Sequence, residues 1–169
     1  MFKKYNDNPF NNDKARIGDQ LNTLIIEKYL QYCSTTNSDE LLESHLIPFL
    51  RDKLGIPPKL LSNVENRREK LVYHNTSVLD LKKLFWYASL LLVLKENLSY
   101  IDQAWELLTD SLTSDQVSLD ELVKLQHKIN DSSTYQTMND MMLLATNGER
   151  ISMNYVDFAM LLGKLGEIG

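Results

Sequence analysis

The twelve residues from Asp110 to Glu121 begin and end on carboxylates, the spacing at which a loop wraps a calcium ion through oxygens at alternate positions and a bidentate Glu at the twelfth. The frame is incomplete, because Leu112 stands in the third slot and Asp115 replaces the glycine that makes the sharp turn. Three further loops fit the same template with less chemistry left in them. With Leu41 in the eighth position, Ser34, Thr36 and Ser38 fill ligand slots but His45 is twelfth; with Leu79 in the eighth, Val72 is first and Lys83 is twelfth. With Asp157 as the last position, Thr146, Gly148 and Arg150 take the ligand slots and Ile151 takes that of the glycine. A hard cation requires oxygens, so His45, Lys83 and Arg150 argue against metal, and no metal ligands or cofactor are assigned.

Catalytic chemistry finds no support. There is no Gly-rich phosphate loop, nucleophile elbow or His-Glu-x-x-His pattern. Cys33 and His45 form only an accidental nucleophile and base pair, and His74 and His127 have no partner in the sequence. The acidic pairs Asp39-Glu40 and Asp120-Glu121 stand at helix starts, where negative charge offsets the helix dipole. The expectation is a non-enzyme with no catalytic residues and no small-molecule substrate.

The elements that would position these loops are helical. Only four prolines and six glycines punctuate 169 residues, and leucine outnumbers the β-branched residues, which favours helix over sheet. The reading is an all-α chain of four degenerate helix-loop-helix units in two lobes, repeated at a spacing of about 35 to 40 residues. Residues 1–12 are read as a flexible tail, 13–98 as the N-terminal lobe and 99–169 as the C-terminal lobe. One helix is predicted from Asp13 to Tyr32 and another, uninterrupted, from Asp39 to Leu54, stopped by Gly55 with Pro57-Pro58 beyond. A weaker charged helix over 59–70 and a long apolar one from Leu81 to Asn97 follow. The C-terminal lobe is predicted to hold a helix from about Ser99, one ending near Ile129, and a pair joined by the Asn147-Gly148 turn.

A net charge of −5 makes direct nucleic-acid binding unfavourable, since phosphate needs a basic surface. The lone Cys33 excludes an internal disulfide, and the longest apolar run, Leu84 to Leu94, is too short for a bilayer. A soluble, reducing compartment and no membrane partner are expected. What remains is protein binding. Five of the six methionines, Met138, Met141, Met142, Met153 and Met160, lie in the last 32 residues at helical spacing. Methionine is unbranched and polarizable, so a face rich in it can repack around an amphipathic helix. The expected partner groove is formed by Trp105, Leu108, Leu122, Leu125, Met138, Met141, Met142, Phe158, Met160 and Leu161. Part of this set must be core, because a lobe of about 70 residues has little apolar material to spare.

The stretch Ala145-Thr-Asn-Gly-Glu-Arg150 through Met153-Asn-Tyr-Val-Asp-Phe158 and Leu162-Gly-Lys-Leu-Gly166, with Val78-Leu-Asp-Leu81 and Asn97-Leu-Ser-Tyr-Ile-Asp-Gln-Ala-Trp105, resembles the small centrin-like nucleotide excision repair proteins of budding yeasts. More broadly the layout is similar to centrin and calmodulin, which are EF-hand proteins. The resemblance covers most of the chain from about residue 20 and is densest after residue 140. It implies a nuclear adaptor in DNA-damage recognition, binding a helix near the C-terminus of the yeast counterpart of the xeroderma pigmentosum group C protein. Centrin's calcium ligands do not carry over, because the positions do not match. The alternatives within the same fold are a calcium-responsive centrin-type sensor and a light-chain-like structural subunit.

Overall fold

The computed structural model describes residues 8–12, 17–109, 115–128 and 132–169. These fall into two compact units, one ending at Glu96 and the other spanning Asn97–Ile168. Among the described residues the chain is helical apart from one two-residue ladder and two isolated bridges.

In the first unit α1, Asp19–Thr36, buries Ile25, Tyr29 and Tyr32 on one face, and Asn37 ends it in the left-handed conformation at φ 49°. The predicted helix from Asp39 to Leu54 is broken. Residues Leu41 and Leu42 run extended, because Leu79 N–H donates to Leu41 O at 2.8 Å and Glu43 N–H to Ser77 O at 2.7 Å. A 3₁₀ turn, Glu43–His45, leads into α2, Leu46–Pro48, and a π turn, Phe49–Lys53. Pro48 lacks the amide hydrogen a regular helix would use, and the wide turn follows it, with Leu54 N–H reaching back to Phe49 O. The charged segment also divides, into α3, Pro58–Leu61, a 3₁₀ turn, Glu65–Arg67, and α4, Arg68–Leu71. Tight bonds from Val64 N–H to Leu61 O and from Arg67 N–H to Val64 O interrupt the helical series there.

The core helix is α5, Leu81–Glu96. Asp80 starts it, its Oδ1 accepting from the amides of Lys82 and Lys83 at 3.0 and 3.3 Å. Tyr87, Ala88, Leu91 and Leu94 are fully buried along it, and it packs on α1 and α3. The sequence predicts a flexible tail over residues 1–12. Residues 8–12 are instead held: Phe10 is 6% exposed and the Trp86 indole N–H donates to Pro9 O at 3.0 Å. An aromatic ring buried against the fold is the physical reason, and polar neighbours such as Asn8 and Asn12 mask it in the sequence. Residues 1–7 lie outside the described set.

The second unit contains α6, Leu98–Thr109, β1, Val117–Ser118, α7, Leu119–Lys128, α8, Tyr135–Thr146, β2, Ser152–Met153, and α9, Tyr155–Leu165. β1 and β2 pair antiparallel, Val117 opposite Met153 and Ser118 opposite Ser152, so two helix-strand-helix halves are stitched at their loops. Thr134 caps α8, and Asn154 and Asp157 form a reciprocal capping box on α9. Lys164 Nζ lies 2.6 Å from Leu144 O and 2.6 Å from Asn147 Oδ1, placing a cation at the negative end of α8.

Candidate partner-binding face

The core of the second unit is a cluster of Val117, Leu122, Met138, Met142, Ala145, Met153 and Leu161, drawn from α7, α8, α9 and both strands. Trp105, Leu108, Met141, Leu144 and Phe158 pack on it as partly buried residues. α6 therefore lays Trp105 and Leu108, one turn apart, along the open side of this core. The Trp105 ring meets Tyr155 edge-on at 5.9 Å and tilts over Phe158 at 5.4 Å. Tyr155 Oη donates to Asp102 Oδ1 at 2.6 Å, tying α9 to α6 from the polar side. Burial, and then the Asp102 carboxylate, push the Tyr155 hydroxyl pKa upward, so it stays a neutral donor.

The ten residues named from sequence divide evenly in accessibility. Leu122, Met138, Met142, Met160 and Leu161 are buried, whereas Trp105, Leu108, Leu125, Met141 and Phe158 keep part of their surface open. Eight of the ten belong to one packed assembly; Met160 and Leu125 stand outside it. The division follows helical geometry. Met141 and Met142 are adjacent on α8 and point about 100° apart, so one can face inward while the other borders solvent.

The loops hold contacts that spacing did not reveal. Arg150, in a ligand slot of the fourth loop, sends its guanidinium to the Asp157 carboxylate at 2.5 Å, and Asp157 is only 3% exposed. The second carboxylate oxygen accepts from Asn154 N–H at 2.9 Å. Thr146 Oγ1 donates to Met142 O and to Arg150 O at 2.9 and 3.0 Å, drawing the loop closed over the pair. In the third loop Glu121 folds back on Ser118, whose backbone N–H and hydroxyl lie 2.7 and 2.9 Å from Oε2. Those donors, the backbone one first, hold the Glu121 carboxyl below its usual range. In the first loop His45 Nδ1 accepts from Leu42 N–H at 3.2 Å, and its ring stacks edge-on against Tyr32 at 5.9 Å. Lys83, last in the second loop, sits 3.7 Å from Asp80. Asp110 lies outside the described residues.

No family model and no solved structure matches the chain. Among curated proteins it is 30% identical over 168 residues to the DNA repair protein RAD33 of Saccharomyces cerevisiae, covering 93% of this chain and 90% of that protein. The chain belongs to the RAD33 family of DNA repair proteins. A match of that breadth spans the sequence of both units. Membership gives the protein a role in DNA repair.

Proposed function

We propose that the protein is a non-catalytic, nuclear adaptor in nucleotide excision repair, whose second unit receives an amphipathic helix from the C-terminal region of the DNA damage-recognition protein, the yeast counterpart of the xeroderma pigmentosum group C protein. The observation that carries this reading is the half-covered line of Trp105, Leu108, Met141, Leu144 and Phe158 over a closed apolar core. Large rings beside an adaptable thioether suit a helix anchored at i, i+3 or i+4, and i+7. The architecture is read as degenerate EF-hand, supported by register. The ladder places Val117 opposite Met153, and the bridge at Leu42 and Val78 puts Leu41 opposite Leu79; these are the eighth positions of all four loops. Partner capture is independent of calcium in this reading, because Arg150 already engages the carboxylate that ends the fourth loop.

The test is calorimetric titration with a peptide carrying the C-terminal helix of the damage-recognition protein. Met141→Glu leaves the protein folded by circular dichroism and weakens binding by about 30-fold, the cost of losing one hot-spot residue of about 2 kcal/mol. Met160→Glu, at a position 4% exposed, unfolds the second unit instead. A folded Met141→Glu variant that binds at wild-type strength sinks the proposed face.

A further inference from the structure

The first unit carries a second feature that partner capture by the second unit leaves without a role. Between the end of the charged segment and the first two turns of α5 lies a cleft of about 400 Å³. Its walls hold Arg67, Lys70, Lys82 and Lys83 against one lining carboxylate, Asp80, among the described residues. This is a cationic hollow on a chain whose net charge is −5. Asp80 lies 3.7 Å from the Lys83 ammonium and offsets one of the four charges, so the lining keeps a formal charge of +3.

The rest of the lining is aromatic. Trp86 is half-buried and Tyr87 fully buried, with the Arg67 guanidinium 5.6 Å from the Tyr87 ring centroid. Among the described residues, Tyr87 Oη is buried with no hydrogen-bond partner. A volume of this size takes a few side chains.

We propose that this cleft binds an acidic peptide segment of a partner protein, with carboxylates at its cationic rim and one apolar side chain against Trp86. Single-stranded nucleic acid fits less well. It needs successive open aromatic platforms along a basic groove, whereas Arg67 covers the Tyr87 ring and Trp86 is anchored through Pro9. The negative charge over the rest of the chain also repels a ligand charged at every nucleotide.

The experiment uses the full chain at low salt and a short fluorescein-labelled peptide of alternating Glu and Asp around a central Phe, followed by anisotropy. The comparison ligands are the same peptide with Lys replacing every acid and a labelled oligothymidylate. The variant is Lys82→Glu with Lys83→Glu; both side chains are exposed, and acids suit the first turn of a helix, so the fold is retained. The acidic peptide binds saturably, more weakly as salt rises, and the double variant weakens it by at least about fivefold. A smaller loss overturns the proposal, as does equal binding of the Lys peptide. Oligothymidylate binding as tight as the peptide's, with the same sensitivity to charge reversal, overturns it in favour of a nucleic-acid site.

Discussion

Replacing Arg150 by methionine keeps the aliphatic stem and removes only the guanidinium, so it isolates what the ion pair with Asp157 contributes. Breaking a fully buried pair by deleting one partner costs about 3–5 kcal/mol, because the remaining charge is stranded away from water. Here the Asp157 side chain is 4% exposed and that of Arg150 34%, so water replaces part of the lost donor and the expected cost falls to about 2–3 kcal/mol. In a cooperative unit of this size that corresponds to a fall of roughly 13–20 °C in Tm. Asp157→Asn keeps an acceptor for Asn154 N–H while discharging the site. Adding it to Arg150→Met should return about 1–2 kcal/mol as coupling in a double-mutant cycle. Urea unfolding followed by circular dichroism measures all four proteins. A loss below about 0.5 kcal/mol for Arg150→Met, or strict additivity in the cycle, refutes the claim that the Arg150–Asp157 ion pair stabilises this unit.

Two further outcomes follow from the same contacts. Phe10→Ala destabilises the first unit by about 3 kcal/mol, the low end for a buried phenylalanine because a terminal segment can detach; an unchanged urea midpoint would return residues 8–12 to a free tail. The hydroxyl pKa values of Tyr155 and Tyr87, the latter about 12, are raised chiefly by burial, so their contribution to stability is complete below the unfolded value near 10 and is lost as pH rises toward the folded value. Urea midpoints therefore fall between about pH 10 and pH 12, and Tyr155→Phe flattens part of that decline; a midpoint constant across the range contradicts the assignment.

Leucine periodicity and punctuation were sufficient for the helical class. Asn147-Gly148 and Gly166 end α8 and α9 in left-handed turns, and Asn154 with Asp157 caps the start of α9, because these signals act within a few residues of themselves. The misfit of the loops to a calcium template was equally visible, since Arg150, Lys83 and His45 are read directly from their positions. Pro48 marks a break in the predicted helix from Asp39, but the extension of Leu41 and Leu42 depends on Val78 and Leu79, far along the chain. Periodicity names a stripe, but it does not say which helix will cover it. Burial of Met142 beside the half-open Met141, and of Met160 outside the cluster that contains Leu161, was decided only when α6, α7, α8 and α9 came together. The same holds for Phe10, whose burial depends on α5, and for Arg150, which the sequence marked as unable to bind calcium but not as the partner of Asp157. Local signals set each helix because their free energy is local; the open face, the cationic cleft and the buried ion pair arise from contacts between segments that no short window of sequence contains.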